Sequence, residues 1–174
     1  SLEGCFAMPL EHLSASAALA EAVRPRSAED KVVVVSPDLG AVKLAERYAR
    51  QLGVPMAIVH KSRVSGAEVS VRGLVGQVRG CRPIIVDDLI STGGTIAATA
   101  EAVLEAGCIE EITVAATHAL LVGPAVERLA KVPIRRLVST DSVARDDGLP
   151  FEHQVVSLAP LFADALRRLT GNGA

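Results

Sequence analysis

An α/β fold, with a parallel sheet carrying helices on both faces, is what this sequence predicts. Short β-branched runs alternate with helical patterns from residue 31 onward, the order that builds such a sheet. The first of these runs, Lys31–Ser36, holds four consecutive valines, as suits a strand buried on both faces. The third, Arg82–Val86, runs into Asp87-Asp88 and then a Ser-Thr-Gly-Gly-Thr turn. That turn falls beyond the carboxyl end of a strand, where open α/β sheets bind their ligands.

The elements follow in order. Residues 1–30 read as a crossover segment and a helix, 31–170 as one α/β core, and 171–174 as a frayed tail, so that a single domain covers 1–174. After the valine strand, Leu39–Leu52 has a helical pattern stopped by Gly53, with Pro55 beyond it. Met56–Val59 is a second short strand. Four glycines (Gly66, Gly73, Gly76 and Gly80) interrupt 61–80, while Val69/Val71 and Val75/Gln77 hint at a period of two. This stretch predicts a mobile loop followed by short strands or a hairpin. Thr95–Ala106 is a helix ended by Gly107, and Glu111–Thr117 a strand. Pro124–Ala130 is a short helix, Ile134–Ser139 a strand, Glu152–Ser157 an edge strand and Ala159–Leu169 a closing helix.

Composition narrows the function. A net charge of −2 gives no general reason to bind nucleic acid or an anionic membrane. Aromatic residues make up 2% of the chain and tryptophan is absent, which argues against a base-stacking platform. No apolar run reaches the roughly 18 residues of a membrane span. Cys5, Cys81 and Cys108 are scattered, odd in number and without a C-x-x-C spacing, which suggests reduced residues in a cytoplasmic protein. The start shows neither a signal-peptide pattern nor a methionine, so a fragment of something longer is one expectation.

The chemistry concentrates around 83–95. Asp87 and Asp88 can accept hydrogen bonds from vicinal hydroxyls, or share a Mg²⁺ that relieves their mutual repulsion. Ser91, Thr92, Gly93, Gly94 and Thr95 can cradle a phosphate, because glycines let the backbone approach an anion and a helix N-terminus supplies amides. Taken alone, the turn could be an ordinary helix cap; its offset from the acidic pair favours a sugar-phosphate pocket. Asp38, in Ser-Pro-Asp after the first strand, could cap the next helix, ligate Mg²⁺ or touch a ribose, and the residues leave these open. Lys61 and Arg63 could close over a polyphosphate, although pattern alone favours a solvated loop. A lone His118 at the same edge is more often structural than catalytic. No His/Cys cluster has zinc spacing.

Val86–Thr95 resembles the PRPP-binding loop shared by type I phosphoribosyltransferases and PRPP synthetases (ribose-phosphate diphosphokinases). Four further segments resemble the synthetase family: GCFAMPLEHLSA at 4–15, the S-P-D-x-G element at 36–41, AIVHKSR at 57–63 and ATHALLVGPAVERL at 116–129. The likeness runs over about residues 4–169, and Ser62 between Lys61 and Arg63, with the V-S-G-A-E-V that follows, looks closer to the archaeal-type branch. It implies a phosphoribosyltransferase-like domain with a flexible catalytic loop, acting in transfer of diphosphate from Mg-ATP to ribose 5-phosphate to give PRPP and AMP. By resemblance, Lys61 and Arg63 are catalytic. Asp87, Asp88, Ser91, Thr92, Gly93, Gly94 and Thr95 bind ribose 5-phosphate, and Asp38 binds metal. Mg²⁺ and ATP are then the cofactor and co-substrate, and a homo-oligomer is implied. The family's chain is about twice as long, so an N-terminal ATP-binding domain is expected to be missing and the isolated chain to be inactive. A nucleobase phosphoribosyltransferase and a non-catalytic PRPP-binding regulator are the alternatives.

Overall fold

The computed structural model describes residues 5–8, 10–25, 27, 30–65, 68–144 and 148–171, with side chains throughout that set except over 61–72. Within it run α1 (Ser16–Ala22), β1 (Val32–Ser36), α2 (Val42–Leu52), β2 (Met56–Ser65), β3 (Glu68–Val75) and β4 (Arg82–Ile90). These are followed by α3 (Gly94–Glu105), β5 (Ile112–Ala119), α4 (Ala125–Leu129), β6 (Ile134–Thr140), β7 (Glu152–Val156) and α5 (Ala159–Gly171). The strands form one sheet in the order β3-β2-β1-β4-β5-β6-β7. Every neighbouring pair is parallel except β2 with β3. The carboxyl ends of β1, β4 and β5 therefore share one edge.

The sheet is buried on both faces, and the alternation along its central strands shows how. Val32 and Val34 of β1, with Ile84 and Val86 of β4, pack against Leu19 and Ala20 of α1 and Ala45 and Tyr48 of α2. Val33, Val35 and Ile85 pack the other way, against Ile96, Ala100 and Val103 of α3 and Ala125 and Leu129 of α4. Each large aliphatic side chain buried this completely contributes roughly 1.5–3 kcal/mol. The four valines read as a doubly buried strand are all in the core, and the predicted helices lie on both faces.

Three boundaries differ from expectation. First, α2 begins at Val42 rather than Leu39, because Oδ1 of Asp38 accepts the amides of Gly40 (2.8 Å) and Ala41 (3.1 Å) and holds 38–41 in a turn. Second, β4 continues past Val86 to Ile90, so the acidic pair sits on the strand itself, with Asp87 opposite Ala116 of β5. Third, 61–65 is not a loop. The strand β2 runs unbroken through it and pairs with β3, from Ile58 opposite Val75 to Ser65 opposite Glu68. The backbone pairing there, with register shifts at His60/Lys61 and Arg63/Ser65, prevails over the glycines that suggested irregular chain, and it realises the hairpin that the period of two hinted at. Residues 66 and 67, also within the expected loop, lie outside the described residues.

At the far end, α5 extends past Thr170 to Gly171, while 172–174 lie outside the described residues. It contributes little to the core: Ala165 is buried, whereas Phe162, Leu166 and Leu169 are 54–64% exposed. Arg168 of α5 pairs with Glu11, which ties the segment before α1 to this helix. Gly4 and Pro9 of the expected crossover at 4–15 lie outside the described residues. Among the described residues no helix is long and apolar enough to cross a membrane.

Candidate active site

The parallel strands bring the Ser-Pro-Asp turn, the acidic pair and the glycine turn to one edge of the sheet. Asp38, Asp87 and Asp88 line a single cavity of about 530 Å³ together with Gly40, Ala41, Lys43, Leu44 and Arg47 of the adjoining turn and α2. Asp38 is fixed from two sides. Its carboxylate takes the amides of Gly40 and Ala41, and its carbonyl accepts the Ser36 hydroxyl at 2.7 Å. A Cβ on Gly40 would stand 3.2 Å from Oδ1 of Asp38, so the residue after next must be small for the turn to close this tightly. Asp38 is not the N-cap of α2, a position taken by Ala41 without a side-chain bond; its carboxylate instead closes the preceding turn and lines the acidic cavity.

Asp87 is half-buried and Asp88 exposed. Burial pushes the Asp87 carboxyl up to about 7, and the neighbouring charges of Asp88 and Asp38 push the same way, against the lowering effect of the Asp88 amide. Three carboxylates crowd one cavity without a compensating ion pair among the described residues, an environment that suits a hard divalent cation. Among the described residues, no three His, Cys, Asp or Glu side chains converge as a ready metal site. Mg²⁺ characteristically takes one or two carboxylates and completes its shell with water and substrate oxygens. One or two of Asp38, Asp87 and Asp88 fit that pattern.

The turn Ser91–Thr95, with Leu89, Ile90 and Ile96, lines a second, smaller cavity of about 110 Å³ at the N-terminus of α3. The backbone carbonyls here are already engaged. Ile90 accepts the Leu121 amide (3.1 Å) and Ser91 the Val122 amide (2.9 Å), both from the segment after β5. Gly93 accepts the Ala97 amide at 2.9 Å, the first helical bond of α3. In a trans peptide the carbonyl and the next amide point in opposite directions, so tying back the Ser91 carbonyl turns the Thr92 amide the other way. Gly93 is left-handed (φ 73°), which only glycine adopts at low cost. Leu121, at φ 46°, is also left-handed and is held there by burial and its bond to Ile90, a strain localised against the turn.

Lys61 and Arg63 lie on β2 beyond its pairing with β1, which ends at Ser36 opposite Ile58. Among the described residues they pair only with β3, Lys61 opposite Val71 and Arg63 opposite Val69. From Ile58 to Arg63 the strand projects about 16 Å past β1, at the edge where Asp38 stands. The two-stranded arm thus leaves the sheet at the site edge, and the side chains of Lys61 and Arg63 lie outside the described set. His118 donates to or accepts from Ser142 Oγ at 2.8 Å, and Ser142 donates to the Thr117 carbonyl at 3.1 Å. That linkage ties β5 to the turn after β6 and matches the structural reading of this histidine.

Three cations escaped the sequence reading. Lys43 and Arg47 stand one helical turn apart on α2 and line the acidic cavity. Their spacing after Ser-Pro-Asp was the available signal. Arg128 of α4 donates from Nη1 to the Thr92 carbonyl at 3.2 Å. It lies within the segment 116–129 already singled out, but no local pattern marks it as a neighbour of a turn 36 residues earlier.

The family described as phosphoribosyl transferase domain matches residues 10–138. A ribose-phosphate pyrophosphokinase of Caldanaerobacter subterraneus subsp. tengcongensis is 41% identical over 169 residues, covering 97% of this chain and 53% of that relative. A crystal structure of phosphoribosylpyrophosphate synthetase from Mycobacterium smegmatis superposes with a TM-score of 0.85 at 38% identity, over 99% of this chain and 56% of that one. The chain spans about half the length of the curated relatives it matches. The Giardia lamblia APRTase structure, at 22% identity and a TM-score of 0.56, shares the fold.

Proposed function

The chain belongs to the phosphoribosyl transferase domain family, and from this membership and the site we propose that it acts as the C-terminal half of a ribose-phosphate pyrophosphokinase. The reaction is transfer of the β,γ-diphosphoryl group of ATP to the anomeric hydroxyl of ribose 5-phosphate, giving PRPP and AMP. The observation that carries the reading is the succession, along β4 and its turn, of an acidic pair facing one cavity and an amide-rich turn lining another. A ribose 5-phosphate offers the matching groups, two vicinal hydroxyls and a terminal phosphate. The similarity to named pyrophosphokinases over nearly the whole chain supports the choice of reaction.

In this reading Asp87 and Asp88 accept the 2- and 3-hydroxyls, and the turn Thr92–Thr95, with Ser91, holds the 5-phosphate. Asp38 helps to position the ribose and, with the acidic pair, to hold Mg²⁺. When bound, Mg²⁺ supplies neutralisation of phosphate charge. The anomeric oxygen forms a bond to the β-phosphorus while the bond from that phosphorus to the α,β-bridging oxygen breaks, and AMP leaves. The proton of the anomeric hydroxyl goes to solvent. Lys61 and Arg63 on the β2–β3 arm close over the phosphates and stabilise the charge of the group in transit. Such cations act chiefly by positioning and electrostatics.

The nucleotide's main binding domain belongs to the remaining half of the longer protein, which would also complete a cytoplasmic homo-oligomer. The exposed stripe Phe162, Leu166 and Leu169 on α5 supports a covering partner for this chain. The test is an assay of the purified chain with Mg-ATP and ribose 5-phosphate, alongside PRPP with purine and pyrimidine bases. The reading expects ribose 5-phosphate to bind and little PRPP to form. Vigorous PRPP synthesis by the chain alone contradicts the half-site assignment, and nucleotide formation from PRPP and a base would make it a transferase.

A further inference from the structure

We propose that Arg128 is a positioning residue for the phosphate turn, an inference that rests on the 5-phosphate reading of Ser91–Thr95. The carbonyl of the peptide between Thr92 and Gly93 accepts Nη1 of Arg128 at 3.2 Å, which draws the oxygen toward α4. Because the peptide is planar and trans, the Gly93 amide is thereby turned away from α4. With the Ser91 carbonyl held by Val122, two successive carbonyls of the turn are tied to the same neighbouring segment. The amides of Thr92 and Gly93 are left facing the opposite way, as an anion-binding nest requires.

The rest of α4 fits this role. A Cβ on Gly93 would stand 3.2 Å from the Ala125 carbonyl and 3.2 Å from Cγ of Leu129, so the turn rests directly on the helix. Nη1 of Arg128 would lie 3.7 Å from a Cβ on Gly94, beside the first residue of α3. Arg128 is exposed and makes no ion pair among the described residues. The guanidinium carries its charge across the turn from the amides, so it both fixes the Thr92 carbonyl by a charge-assisted bond and adds positive potential at the turn.

The test is calorimetric titration of the chain with ribose 5-phosphate in Mg²⁺, at two ionic strengths, for wild type, Arg128→Met and Arg128→Lys, with Tm measured for each. Arg128→Met is expected to weaken binding about tenfold or more, the scale of one lost charge-assisted hydrogen bond, with Tm nearly unchanged. It should also flatten the dependence of affinity on salt, and Arg128→Lys should restore most of both. Equal affinity in wild type and Arg128→Met overturns the role of Arg128 and leaves the phosphate reading of the turn intact. A loss matched by a large fall in Tm and not recovered by lysine overturns it in favour of a purely structural contact. Failure of the wild-type chain to bind ribose 5-phosphate overturns the function reading itself, and this inference with it.

Discussion

The amide of Asp88 donates to Oδ1 of Asp87 at 2.9 Å, a bond between consecutive residues that favours the charged carboxylate. Even so, burial and the charges of Asp88 and Asp38 prevail and leave Asp87 with a pKa of about 7. An unfolded Asp87 titrates near the usual 3.8. Between those values the folded chain keeps a proton that the unfolded chain has lost, so this group's stabilising contribution is full below about pH 4 and declines as pH rises through 7.

Asp87→Asn should therefore leave Tm nearly unchanged near pH 3.5, where the wild-type carboxyl is neutral in both the folded and the unfolded chain. Its advantage should grow as pH rises from 4 to 7, and at pH 8 it should raise stability, on the order of 1–3 kcal/mol. Thermal unfolding of both proteins across pH 3–9 checks this. The same group links binding to protons: near pH 6, loading with Mg²⁺ and ribose 5-phosphate should release a proton, read as a binding heat that varies with the buffer's ionisation enthalpy.

Gly93 and Gly94 are adjacent but not equivalent. Gly93 is left-handed with backbone of α4 close by, whereas the nearest atom to a Cβ on Gly94 is 3.7 Å away. Gly93→Ala should cost roughly 1–2 kcal/mol of stability and weaken ribose 5-phosphate binding. Gly94→Ala should leave stability within about 0.5 kcal/mol. Denaturant unfolding of the two variants separates them.

Gly76 anchors the arm. At φ 115° it comes so close to β2 that a Cβ would lie 2.8 Å from Cα of Ala57 and from the Met56 carbonyl. Gly76→Ala must displace backbone and should destabilise by roughly 2 kcal/mol or more. In the full-length protein it should lower turnover, through displacement of the arm that carries Lys61 and Arg63, with ribose 5-phosphate affinity changing less than about threefold.

Lys61→Ala in the full-length protein should abolish turnover and leave ribose 5-phosphate binding nearly intact, because its proposed role is with the transferred group. Near-normal turnover in steady-state assays of this variant would remove Lys61 from the mechanism.

The parts of the fold visible in the sequence were those with strong local signals. Four valines, an apolar lead-in to Asp87 and glycines at the ends of helical patterns place β1, β4 and the helix stops within a few residues. The parts that were hidden depend on distant partners. The period of two at 69–77 suggested the hairpin that β2 and β3 form, but the glycines at 61–80 suggested a loop at 61–65, where the pairing of β2 with β3 depends on the partner strand. The Asp38 turn delayed α2 through side-chain bonds that compete with helix formation. In the site, the acidic pair and glycine turn are contiguous in sequence and were legible. Lys43, Arg47 and Arg128 reach the same edge only through tertiary packing, and exposed cations on helices usually carry no functional signal.

The proposed role of this chain is to hold the ribose 5-phosphate half of a diphosphoryl-transfer site. Calorimetric titration of the purified chain with ribose 5-phosphate in Mg²⁺, repeated with Asp87→Ala/Asp88→Ala, tests it most directly. One saturable site is expected in the wild type, and its loss in the double variant. Heats indistinguishable from dilution in the wild type, or undiminished binding without the two carboxylates, would contradict it.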